Sequence, residues 1–145
     1  YELFFLNSSK FMNYSNKKLY IDQITYIKET LNSFSSNKRI IIFMHHPPYI
    51  DNKDILKTGS DLIHNRDISY WIFEEKIYSD FFNLFKKHKI EYIFTGHLHI
   101  NLETKFEDTK IIATSAVGVP LGNDPSGYRI IDFENENLSY KFYEI

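Results

Sequence analysis

Four of the six histidines stand where an apolar run gives out. In "KRIIIFMHHPPY" a β-branched and aromatic run over 39–44 ends at His45 and His46. In "IEYIFTGHLHIN" a second run ends at Gly96, before His97 and His99. Neutral imidazole ligates transition metals through either ring nitrogen. In an extended backbone, residues two apart point to the same side. His97 and His99 are therefore expected to address one site, or two ions close together. Ligands collect at the carboxyl ends of strands in parallel α/β sheets, so His45, His97 and His99 are expected to converge there as metal ligands. His46 and Tyr49 are expected behind the ligands or facing a substrate. His64, in a loop, and His88, near a helix C-terminus where an imidazolium suits the dipole, read as ordinary polar residues.

Three imidazoles alone fit a mononuclear zinc site with an open position. A two-metal hydrolase needs a bridging oxygen ligand and further carboxylate or amide ligands. Asp51, Asp54 and Asp61 lie in the loop after His45 and Asp124 lies in a turn, none at a strand end. The sequence reads as half of a site.

The elements that must position these side chains follow from periodicity. "ELFFLN" (2–7) reads as a short strand and residues 8–18 as polar and turn-like. Tyr20, Ile24, Ile27, Leu31 and Phe34 recur at steps of three and four, one face of an amphipathic helix. "RIIIFM" (39–44) reads as a strand covered on both faces. Residues 45–73, with two prolines, read as a long irregular loop of the kind that borders sites. Ile77, Phe81, Leu84, Phe85 and His88 mark a second helix over 74–89, and "EYIFT" (91–95) a further strand. Strand–helix alternation implies parallel pairing with crossover helices. "IIATSAV" (111–117) is apolar, and "GVPLGNDPSG" (118–127) reads as a turn. "YRIIDF" (128–133) and "LSYKFYEI" (138–145) form a hairpin with Leu138, Tyr140 and Phe142 on one face.

Composition narrows the classes. The 145 residues suffice for one core. Hydrophobic residues make up 43% and charged residues 25%, ordinary for a globular domain, while 17% aromatic residues imply a core rich in Phe and Tyr. The formal net charge of −2 comes without a basic block, so nucleic-acid binding is not expected. The absence of cysteine excludes disulfides, thiolate zinc sites and cysteine nucleophiles. No apolar run approaches a membrane span and no leader-like layout stands at the start; no membrane partner is expected, and the expected location is cytoplasmic, with a secreted one as the open alternative. The chain opens without Met directly on a strand, as part of something longer would.

"FMHHPPY" followed by "FTGHLH" resembles the later blocks of the calcineurin-like metallophosphoesterase superfamily, a strand-end His before a proline and then Gly-His-x-His. "FFLNSS", the helix ending near Leu31, "SAVGVPLGNDPSGYRI" and "LSYKFYEI" are similar to the calcineurin-like phosphoesterase domain-containing branch, associated with serine/threonine phosphatase activity. The resemblance implies an α/β fold, the C-terminal half of an αββα sandwich, with residues 1–145 as the C-terminal portion of one domain. It implies two divalent ions (Mn, Fe or Zn), His45 and His97 on one and His99 on the other, and a phosphoester substrate attacked by water without a covalent nucleophile. The family's Asp-x-His, Gly-Asp-x-x-Asp and Gly-Asn-His-Asp/Glu blocks would lie upstream, so the missing N-terminal half is the implied partner. By position alone, the 45–73 loop with Tyr49, Arg66 and Trp71 would border the substrate. A non-catalytic interaction domain and a mononuclear zinc hydrolase are the alternative readings.

Overall fold

The computed structural model describes residues 1–12, 16–35, 38–54, 66–121 and 123–145. Asp61 and His64 lie outside the described residues. In chain order the elements are β1 (Glu2–Phe5), α1 (Ser9–Met12), α2 (Lys17–Asn32), β2 (Arg39–Phe43), α3 (Ile68–Trp71), α4 (Glu75–Leu84), β3 (Lys89–Thr95), β4 (Leu102–Phe106), β5 (Thr109–Ala113), β6 (Gly127–Glu134) and β7 (Asn137–Glu144). The first five strands form one sheet in the order β1-β2-β3-β5-β4, and β6 and β7 form a separate two-stranded sheet. β1, β2, β3 and β5 run parallel, with β4 antiparallel at one edge.

Alternation along the strands divides the side chains between two cores. Phe4, Ile40, Ile42, Ile93 and Ile111 face the helices, where they meet Ile27 and Leu31 of α2 and Ile77 and Phe81 of α4. Ile41, Tyr92, Phe94 and Ile112 face the other way and are covered by Ile131, Leu138 and Tyr140 of the hairpin. The strands thus carry near-continuous apolar runs because both faces are covered. α2 starts where Asn16 accepts the backbone N–H of Leu19, an N-cap that the Asn side chain is well suited to provide.

Two elements depart from the sequence reading. Residues 9–12, within the stretch read as turn-like, form a helical turn whose Phe11 is buried against Phe73 and Phe81. Tertiary burial of one ring fixes a helix too short to be stable alone. β4 has a polar "LETKF" sequence and is held as an edge strand by β5, with only Thr104 buried. The described part of the 45–73 loop also contains α3, capped by Asp67, whose carboxylate accepts the N–H of Ser69. No helix among the described residues is long and apolar enough to cross a membrane.

Polar contacts lock the layers in register. Glu91 of β3 receives Nε and Nη2 of Arg39 on β2, while Nη1 of Arg39 donates to the Glu136 carbonyl at the hairpin tip and its guanidinium covers the Tyr1 ring. On the opposite edge, Arg129 donates to Thr114 and Asn101, and Tyr140 donates to Glu103. A third apolar cluster, Ile50, Trp71, Ile72, Leu98, Ile100, Ala113 and Leu121, lies under the loops beyond the strand ends. Leu98, fully buried between the two histidines of the GHLH stretch, is its central plug.

Two outcomes are expected. The Arg39 hydrogen bonds, ahead of its charge, hold the Glu91 carboxyl below its ordinary value of 4.5. A lowered acid contributes stability that is present above pH 4.5 and lost as pH falls through the folded value. Glu91→Gln should lower the unfolding free energy at pH 7 by about 1 kcal/mol or less, and urea denaturation should show variant and wild type converging as the pH is taken from 7 towards 3. Leu98→Ala should cost about 2–5 kcal/mol, because the site cannot collapse around the missing atoms; the same urea titration at pH 7 measures it.

Candidate metal centre

The parallel pairing of β2 and β3 aligns Phe43 with Phe94. Beyond the strands the ladder continues for two more bonds, from Met44 N–H to the Phe94 carbonyl and from Gly96 N–H to the His45 carbonyl. His45 and His97 therefore emerge side by side. The chain then tightens: Leu98 N–H bonds back to the Gly96 carbonyl at 2.7 Å, and His97 and His99 adopt φ values of 60° and 55°. These are left-handed conformations, not the extended backbone expected from the H-x-H spacing. The correction has a physical cause: the turn drives Leu98 down into the third apolar cluster and leaves the flanking imidazoles above it. Left-handed backbone costs a non-glycine residue roughly 1–2 kcal/mol, and such strain persists only where its surroundings impose it.

His97 Nδ1 lies 3.1 Å from His45 Nε2. Its other nitrogen, Nε2, lies 3.0 Å from the Tyr70 carbonyl. A carbonyl only accepts, so Nε2 carries the proton and Nδ1 presents a lone pair. His99 is oriented the same way in mirror: its Nδ1 donates to the Val119 carbonyl at 2.6 Å, leaving Nε2 as the lone-pair nitrogen. Backbone carbonyls that fix the tautomer are the usual outer support of metal-binding histidines. Two nitrogens that share a tetrahedral ion at Zn–N distances near 2.0–2.1 Å are about 3.3 Å apart. The His45–His97 spacing fits one cation between them.

Potential ligand atoms of His45, His46 and His97 all lie within 4.8 Å of one another, the one such group among the described residues. His99 lies outside that group, in a cleft it shares with His97, Arg66, Tyr70, Trp71, Val119 and Leu121. Arg66 and Trp71, from the 45–73 loop, line this cleft. Tyr49 instead packs its ring on Tyr78 and Phe106, on the helix side of the sheet. His88 lies against Phe34, away from the other histidines. Asp124 accepts the N–H of Asn101, and among the described residues no carboxylate joins the group.

Burial favours the neutral form of His45, His46 and His97. Burial pushes His46 down to about 3, with the neighbouring His97 and His45 rings adding to it. His45 is lowered by burial and by His99. His97 is lowered by burial and by His45 and His99, against the opposing bond to Tyr70. A neutral imidazole offers its lone pair without first releasing a proton. A donor set of imidazole nitrogens suits Zn, Cu, Fe or Ni, and oxygen ligands beside them extend the range to Mn. Nothing in the sequence marks the Tyr70 and Val119 carbonyls, since any residue can supply a carbonyl. Ser8, whose hydroxyl bonds His46 and both backbone N–H groups of the His45–His46 pair, is equally unmarked.

No model of a known protein family matches the chain. Among curated proteins, the serine/threonine-protein phosphatase CPPED1 of Rattus norvegicus is 23% identical over 105 residues, covering 72% of this chain and 30% of that protein. Its counterpart in Pongo abelii is 24% identical over the same shares, and that of Danio rerio is 21% identical over 109 residues, covering 75% of this chain and 32% of that protein. The matched stretch is therefore about a third of the length of these relatives. The mostly parallel sheet with its antiparallel hairpin is consistent with a fragment of a metallophosphoesterase fold. At the level of family, and at this distance, the chain is a remote relative of the calcineurin-like serine/threonine phosphatases that CPPED1 represents.

Proposed function

We propose that this chain is the histidine-bearing portion of a metal-dependent phosphatase that acts on phosphoserine or phosphothreonine. The observation that carries the reading is the pair of facing nitrogens, His45 Nε2 and His97 Nδ1, 3.1 Å apart at the carboxyl ends of neighbouring parallel strands. The names of the relatives support the reaction class. In this reading His45 and His97 hold one divalent ion and His99 a second, each Mn, Fe or Zn. The oxygen ligands come from polypeptide outside these 145 residues, the N-terminal portion of the same domain.

When bound, the ions neutralise charge on the phosphoryl oxygens and lower the pKa of the attacking water. The chain's own groups do the rest. The Tyr70 and Val119 carbonyls keep His97 and His99 turned with their lone pairs inward. Arg66 stands over the Tyr70 ring on the cleft, where its charge would draw in an anionic substrate. Tyr70, Trp71, Val119 and Leu121 give the cleft an apolar wall for the leaving group.

A second reading rests on the tight grouping of His45, His46 and His97, which no carboxylate joins among the described residues and which suits a single zinc ion. Metal analysis of the full-length protein separates the two. Two ions per molecule support the phosphatase, one supports the zinc enzyme, and none leaves a non-catalytic interaction domain. His97→Ala in the full-length protein should remove bound metal and lower phosphatase activity by more than about a hundredfold. Retention of metal and activity would refute the assignment.

A further inference from the structure

Ser8, in the turn after β1, is almost completely buried, and its hydroxyl is fully committed. The backbone N–H groups of His45 and His46 point at Ser8 Oγ from 3.1 and 2.9 Å. Backbone N–H groups only donate, so together they occupy both lone pairs of the hydroxyl. The same oxygen lies 2.9 Å from His46 Nδ1. With no lone pair left, the hydroxyl has only its own proton to offer the ring, and Nδ1 must accept it. An imidazolium is disfavoured by the same count, because its Nδ1–H would be a third donor to an oxygen with two lone pairs. A neutral ring that accepts at Nδ1 carries its proton on Nε2.

This separates His46 from its neighbours. A metal needs a ring lone pair, and His46 has none to give: Ser8 occupies the one on Nδ1, and a proton fills the place on Nε2. By distance alone His46 belongs with the ligands, since its ring centroid is 4.1 Å from that of His97 and 4.9 Å from that of His45. By hydrogen-bond accounting it is a donor. None of the hydrogen bonds among the described residues uses its Nε2.

We propose that Ser8 fixes His46 as the Nε2–H tautomer, and that this N–H binds an oxygen of the phosphoryl group while ligation is left to His45, His97 and His99. The inference rests on the phosphatase reading for its ligand. The neutral ring gives a hydrogen bond and no proton, so it stabilises phosphoryl charge and is not the acid for the leaving group. Ser8 acts through His46 and is a positioning residue.

The tautomer is read directly by long-range 1H–15N correlation on histidine-labelled full-length protein, with the His46 signals assigned by His46→Gln. The Nε2–H pattern is expected, and an Nδ1–H pattern would overturn the proposal. His46→Ala should keep the wild-type metal stoichiometry, weaken inhibition by inorganic phosphate about tenfold, and lower phosphate-monoester hydrolysis about 10²–10³-fold, the usual loss for one donor to a transition-state oxygen. His46→Gln, whose amide N–H reaches the place of Nε2–H, should recover a large part of both. Loss of metal from His46→Ala as complete as from His97→Ala would make His46 a ligand and overturn the proposal, as would unchanged phosphate inhibition. A wild-type protein without metal or phosphoester hydrolysis would overturn the phosphatase reading and the phosphoryl role with it; the tautomer measurement on that same protein tells the two failures apart.

Discussion

The site depends first on the register between β2 and β3. Parallel pairing of Phe43 with Phe94, continued by the bonds from Met44 to Phe94 and from Gly96 to His45, brings two histidines 52 residues apart in sequence to neighbouring strand ends. Slippage by one residue would exchange the faces of the strand, sending Ile41 and Tyr92 towards the helices and Ile42 and Ile93 towards the hairpin. The two apolar cores therefore hold the same register that the imidazoles need. Packing and chemistry are coupled through one ladder.

Around that ladder, three of the histidines are defined by a hydrogen bond at one ring nitrogen. Tyr70 and Val119 contribute carbonyls, which force protons onto His97 Nε2 and His99 Nδ1. Ser8 contributes a hydroxyl already taken by two N–H groups, which forces the opposite outcome on His46. Three similar rings in a small volume are thereby each held in one tautomer. The supports come from three separate places, the turn after β1, helix α3 and the segment after β5, so the site is assembled by the whole sheet end.

Much of this was legible in the sequence. The facing pattern of Ile27 and Leu31, the buried runs of β2 and β3, and the hairpin face of Leu138 and Tyr140 all follow from apolar periodicity, because burial on a regular element imposes its own period. The strand-end placement of His45 and His97 followed too. What did not was held by tertiary contact. α1 exists because Phe11 finds Phe73 and Phe81. β4 is strand because β5 lies beside it, its polar residues giving no signal of their own. The left-handed turn at His97 and His99 could not be read from an H-x-H spacing, because it depends on Leu98 having a cavity to fill. Tyr49 was misplaced for the reverse reason: proximity in sequence to His45 says nothing about which core its ring joins.

The positive φ at His97 and His99 also narrows the ways in which this loop can change. Under the proposed ligand role, a position that must both donate electrons to a cation and tolerate that backbone admits few side chains. Asn and Asp meet both demands, since each carries an oxygen donor and enters the left-handed region at modest cost. Gly meets only the second, and Gln, Glu or Cys only the first. In a site of the proposed kind, drift towards harder, oxygen-loving ions is thus conformationally open at these two positions, while drift towards a thiolate centre would have to rebuild the turn.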